Sequence, residues 1–210
     1  MRITDLYKLA WFHYKNPNIG IPENRIFLEV KNKDKFYPPK KSSEYFDWAD
    51  TSLFSYATKL PLINADEMYN LMRQDLDSYF HYQSKFEYRK IGCLILKRFS
   101  NEDKIMTKGL KSKQELVVRS KEVHLNIQNT PVSHLFSRIE SVIIYKDTFM
   151  PFFNETNYNG NIDINLPWNE NIENISIPAL RKGLRRYGLD LVEEYKTLRM
   201  LVISDQKLKQ

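Results

Sequence analysis

A chain of 210 residues with 42% hydrophobic and 28% charged side chains is long enough to bury a core and too apolar for wholesale disorder. Its single cysteine, Cys93, excludes an intrachain disulfide framework, and no apolar run approaches the ~20 residues of a membrane-spanning helix. The net charge of +6 admits anionic partners, nucleic acid among them.

Ile3, Leu6, Tyr7, Ala10, Trp11 and Tyr14 recur at helical spacing, which predicts an amphipathic helix over residues 3–15. Asn16-Pro17 and Gly20 end it. The same stretch lacks the basic, apolar and small-residue order of a signal peptide, so a soluble protein in the cytoplasm or a virion is expected. Residues 25–31 read as a strand. Residues 36–60 are rich in aromatics without clear periodicity, including Tyr37, Tyr45, Phe46 and Trp48, and Pro38-Pro39 favours extended backbone there. Such an extended aromatic segment must lie against the chain's own core or against a neighbour.

Asn64 followed by Glu67 resembles a capping box. The apolar stripe of Met68, Leu71, Met72, Leu76, Tyr79 and Phe80 then predicts a long helix over residues 65–88. Residues 91–99, with Cys93 inside an apolar run, read as a buried strand, and residues 100–114 as a Lys-rich loop. Leu116, Val118, Val123, Leu125 and Ile127 suggest one or two strands, while residues 132–145 fit helix or strand. Asn159-Gly160 suits a type I′ turn and predicts a hairpin over residues 149–164. Two helices follow, over residues 178–187 and 190–202, broken at Gly188, the second capped by Asp190 with Glu193. The expected fold is one α+β domain over residues 1–210. It has a mixed or antiparallel sheet, one long central helix, an N-terminal helix and a C-terminal helical pair. The aromatic segment 36–60 and an acidic hairpin or loop at 147–177 form its contact extensions.

Charge is partitioned along the chain. Residues 85–121 carry 11 Lys/Arg against 4 Asp/Glu, residues 147–177 carry none against 5, and residues 178–210 carry 8 against 4. Complementary blocks suit docking to copies of the chain or to other subunits, with Glu155, Asp163, Trp168, Glu170 and Glu173 as the acidic and aromatic side of the contact. The basic side comprises Lys97, Arg98, Lys104, Lys108, Lys111 and Lys113, together with Arg181, Lys182, Arg185 and Arg186 on one helix face. The same cations could neutralise phosphates, and the abundant aromatics could stack on bases.

Glu23 followed by Glu29-Val30-Lys31 resembles the acid and Glu-x-Lys pattern of PD-(D/E)xK nucleases, over residues 22–31 only. That resemblance implies a divalent cation held by the carboxylates and a lysine steadying the attacking water. His13, His81, His124 and His134 show no metal-ligand spacing, and six glycines leave little room for a phosphate-cradling loop. The leading expectation is therefore a non-enzymatic structural or interaction protein without metal or cofactor. It would be a subunit of a larger assembly, in concrete form a viral or phage head–tail connector ring. Few Gly and Ala beside many Lys, Asn, Tyr and Phe match the bias of AT-rich codons and suggest that form. A nucleic-acid-binding protein and a metal-dependent nuclease are the alternatives.

Overall fold

A computed structural model describes residues 1–11, 21–39, 41–100, 102–119, 122–145, 150–169, 171 and 174–206. Among the described residues, five α-helices and two sheets make a mixed α+β protein. Contacts divide it into two compact units, one of residues 1–89 and 198–210, the other of residues 90–197. Two long strands, β2 (Tyr82–Arg98) and β7 (Leu189–Asp205), each contribute residues to both units.

In the first unit, α1 (Ile3–Ala10) buries Ile3, Leu6, Tyr7 and Ala10, one helical stripe. The Asp5 carboxylate accepts from the Arg2 backbone at 3.3 Å and from its guanidinium at 2.9 and 2.8 Å, which holds the start of the helix. The rest of the predicted helix, residues 12–15, lies outside the described residues. Strand β1 (Ile26–Glu29) alternates buried Ile26 and Leu28 with outward Phe27 and Glu29, and pairs in parallel with Leu201–Ser204 of β7. Residues 45–52 are not extended: Tyr45–Ser52 form the helix α2.

Helix α3 (Ala65–Phe80) starts as predicted, the Asn64 side chain accepting from the Glu67 backbone at 2.9 Å. It ends eight residues early, at His81 in the left-handed region with φ 57°. From Tyr82 to Phe86 the less exposed positions fall at every second residue, and the chain continues as β2. Met72 and Leu76 of α3 join α1, β1, Phe36, Leu201 and Ile203 in the core of this unit.

The second unit is built on a three-stranded antiparallel sheet in the order β3-β4-β6. Strands β3 (Lys113–Arg119) and β4 (Glu122–Pro131) pair with Leu116 opposite Leu125. Strand β6 (Asn161–Trp168) pairs on the other side of β4, with Leu166 opposite Leu125. Between Ile127 and Thr130 the β4 register shifts, and Asn129 takes a positive φ of 46° there. Residues 132–145 resolve to the helix α4 (Val132–Tyr145), and α5 (Ile177–Arg185) begins at Ser176, whose hydroxyl accepts from the Ala179 backbone. Leu135, Ile139, Leu180 and Leu184 of these helices bury Leu125, Ile127, Ile164 and Leu166.

Two expectations for this part of the chain are corrected. Strand β5 (Phe152–Glu155) pairs in parallel with Leu94–Lys97 of β2, and β6 pairs with β4, so Asn159-Gly160 closes no hairpin between them. The C-terminal helical pair is one helix followed by a strand. Gly188, at φ +72°, lies where an added Cβ would come within 2.6 Å of the Ser100 Cβ, and from Leu189 the chain is β7. Asp190 is consequently a strand residue and not a helix cap.

Because the Asn64 side chain satisfies an otherwise unbonded helix N–H, Asn64→Ala is expected to lower stability by about 1 kcal/mol, read as a shifted urea midpoint with unchanged slope.

Candidate interaction surface

Most of the expected basic contact residues are held by carboxylates of their own unit. Lys97 on β2 lies 2.5 Å from Glu194 and 3.7 Å from Glu155, and Glu155 also pairs with Lys196. The hydrogen bond from Lys196 holds the Glu155 carboxyl below its ordinary range, and the bond to Glu194 raises Lys97. Arg98 pairs with Asp103, Lys104 with Glu102 at 2.9 Å, and Lys113 with Glu115 at 2.7 Å. Lys108 and Lys111 are exposed, with no ion pair among the described residues.

Asp163 has a structural task. Its carboxylate accepts from the Lys108 and Asn129 backbone N–H groups, both at 2.8 Å, and from the Thr107 hydroxyl at 2.9 Å. It thereby ties the 107–108 loop to the irregular turn of β4. Burial pushes its carboxyl up, but these hydrogen bonds prevail and lower it.

On α5, Arg181 and Arg185 both reach Asp190. Arg181 spans its two oxygens at 3.0 and 3.2 Å, while two Arg185 nitrogens lie 3.0 and 2.8 Å from Oδ2. The Leu191 backbone N–H donates to the same carboxylate at 2.8 Å. Asp190 is only 8% exposed. Burial works to raise its carboxyl, yet the two guanidinium groups and the N–H together bring it down to about 2. Lys182 and Arg186 remain exposed, and Pro178, Arg181, Lys182 and Arg185 line a shallow groove of 270 Å³.

In the first unit the aromatic residues take different positions. Tyr37 is half-buried against the core. Tyr45, Phe46 and Trp48 share α2, with the Tyr45 ring centroid 5.8 Å from each of the other two. The Trp48 indole N–H donates to the Asp34 carbonyl at 2.7 Å, whereas Phe46 is 76% exposed. In the second unit Trp168, on β6, packs half-buried against the core. Glu170 and Glu173 lie outside the described residues.

The two carboxylates of the nuclease-like pattern are engaged in ion pairs. Glu29 pairs with Arg89 at 2.8 Å, Glu23 with Lys8 at 3.0 Å and Arg2 at 3.4 Å, and the Lys31 backbone donates to Asp205. Among the described residues no three His, Cys, Asp or Glu side chains gather where they could hold a metal ion. No helix among them is long and apolar enough to cross a membrane.

Sequence reasoning missed a further surface of the second unit, the β3 edge. Leu116 and Val118 are 47% and 68% exposed on that strand. Beside them, Gln114 and the α4 residues Ser133, His134, Ser137, Arg138 and Ser141 line an open groove of 350 Å³. His134 Nδ1 lies 3.3 Å from Gln114 Oε1. The signal was present in the alternation Gln114, Leu116, Val118, which is in phase with Val123, Leu125, Ile127. No protein-family model matches the chain, and no curated protein or solved structure is significantly similar to it.

The shared pairing with two arginines makes Asp190 a pH-dependent element. Its folded value lies below its ordinary 3.8, so its contribution is complete above that pH and is lost as pH falls toward about 2. Asp190→Asn is expected to cost about 1–2 kcal/mol at neutral pH, the lower figure reflecting solvent around Arg185, and to flatten the acid limb of stability between those pH values. Urea unfolding across that pH range checks both effects.

Proposed function

We propose that the chain is a non-enzymatic structural or interaction protein that works as a subunit of a larger assembly of copies of itself or of other protein subunits. The observation that carries this reading is large apolar side chains left open on regular elements, where the backbone holds them in place. In the first unit these are Phe46 on α2 and Tyr79 on α3; in the second, Leu116 and Val118 on β3 and Ile144 on α4. Single exposed apolar residues are ordinary, but aromatic and aliphatic side chains grouped on rigid elements are the usual content of a protein interface.

The charge geometry favours protein partners over nucleic acid. Lys97, Arg98, Lys104, Lys113, Arg181 and Arg185 already have carboxylate partners, which leaves Lys108, Lys111, Lys182 and Arg186 to meet phosphates. A nucleic-acid footprint built on so few cations would be shallow and strongly salt-dependent. A head–tail connector ring of a virus or phage is one concrete form of such an assembly.

Mass measurement of the purified full chain at micromolar concentration is expected to show a defined oligomer that survives physiological salt, because apolar contacts are not screened. A monomer at every concentration, alone and with nucleic acid present, would contradict the assignment; a shift to higher mass only on adding an oligonucleotide at low salt would favour the nucleic-acid alternative instead.

A further inference from the structure

The three-stranded sheet of the second unit has two outer strands that are treated differently. Along β6, the segment preceding β3 closes the edge: Met106 bridges Ile162, the Thr107 N–H donates to the Asn161 carbonyl at 3.2 Å, and the Asp163 N–H donates to the Ile105 carbonyl at 2.9 Å. Along β3, β4 takes one side, and no described strand takes the other. An open edge presents a row of backbone donors and acceptors to any chain that can pair with it, and proteins usually blunt such edges with lysines, prolines or bulges. The centre of β3 is Leu116-Val117-Val118, which contains none of these, and the register shift lies on the other side of β4.

Residues paired directly across a sheet share a face. Leu116 is opposite Leu125, itself opposite Leu166, and Val118 is opposite Val123, itself opposite Trp168. Leu125 and Leu166 are buried in the core, so Leu116 and Val118 continue the core face outward. Neither belongs to that core. The apolar face of the sheet runs beyond the cover of α4 and stops, exposed, at the open edge.

The sequence of β3 is complementary to itself. When two copies lie antiparallel about Val117, Glu115 stands opposite Arg119 of the other copy, Leu116 opposite Val118, and Val117 opposite Val117. The two-fold symmetry repeats each pair. One face then carries four apolar residues in adjacent positions, and Glu115 of each copy falls in register with Arg119 of the other. Opposite-charge and aliphatic cross-strand pairs both stabilise antiparallel strands, and like charges directly opposite destabilise them.

We infer that the second unit dimerises through its β3 edge: two copies join antiparallel, centred on Val117, into a six-stranded sheet of order β6-β4-β3-β3-β4-β6. The interface is isologous, so each contact occurs twice. The sheet gains backbone hydrogen bonds at an edge that lacked them. The row Leu166-Leu125-Leu116 continues into Val118-Val123-Trp168 of the second copy, which covers the side chains that a single copy leaves open. This inference rests on the assembly reading above and names its partner as a second copy of the chain.

The test is sedimentation or mass measurement of full-length chains, with circular dichroism to confirm the fold. Val118→Lys, a change at an exposed position, is expected to abolish dimerisation. Glu115→Arg and Arg119→Glu each turn two attractive pairs into like-charge pairs, and each alone is expected to weaken the dimer roughly tenfold. The double variant E115R/R119E exchanges the charges across the interface and is expected to recover most of the affinity lost in either single variant, the remainder reflecting the lost Lys113–Glu115 pair and Glu122 standing opposite position 119 on β4. A wild-type oligomer indifferent to all of these changes would overturn the β3 assignment while leaving the assembly reading intact. Weakening by both single variants without restoration in the double would overturn the register. A wild-type monomer at every concentration would remove both readings.

Discussion

The apolar face of the β3-β4-β6 sheet has to be kept from water, and the second unit is arranged around that need. Helices α4 and α5 supply Leu135, Ile139, Leu180 and Leu184 to cover Leu125, Ile127, Ile164 and Leu166. Each such side chain contributes about 1.5–3 kcal/mol when fully buried, so this layer outweighs any single polar contact in the unit. Asp190 secures α5 to the start of β7 through Arg181 and Arg185, and Asp163 joins the turn of β4 to the 107–108 loop. These polar anchors orient elements whose stability comes from the layer beneath them. The same need is left unmet at β3, where Leu116 and Val118 stay exposed.

Opposite charges separated along the sequence look like material for docking between molecules. In the folded second unit they meet within the chain: Glu155 lies between Lys97 and Lys196, and Asp190 between Arg181 and Arg185. The exposed pairs around Glu155 contribute little to stability and the buried Asp190 contributes more, but both leave less unpaired charge to attract a distant partner. In the proposed assembly, recognition would depend more on shape, strand edges and apolar contact, with Glu115 and Arg119, four residues apart on β3, selecting the register.

Local signals were legible where local physics decides the structure. The Asn64 cap, the buried stripe of α1 and the alternation in β1 follow from side-chain spacing and hydrogen bonding within a few residues. Legibility failed where a long-range contact decides. Leu191, Leu198 and Val202 sit at helix-compatible spacing, yet β7 forms because β1 and β2 lie on either side of it. Asp190 looked like a cap because Glu193 follows it, and its true partners, Arg181 and Arg185, lie on the preceding helix. Asn159-Gly160 carried a hairpin signal that β2 and β4 override by pairing with the strands on either side. At β3 the apolar alternation was legible, and the open edge was not, for the same reason. Alternation reveals which face of a strand is apolar, but not whether a neighbour covers it.

Amide hydrogen exchange along β3, followed as a function of chain concentration, tests the central claim most directly. In an isolated edge strand, the N–H groups that point away from β4 exchange readily. Pairing with a second copy protects them, while the groups bonded to β4 are protected throughout. The account predicts that outward-pointing amides between Lys113 and Arg119 slow markedly as concentration rises, in step with the change in mass. Fast exchange of those amides at concentrations where the chain is fully oligomeric would contradict it.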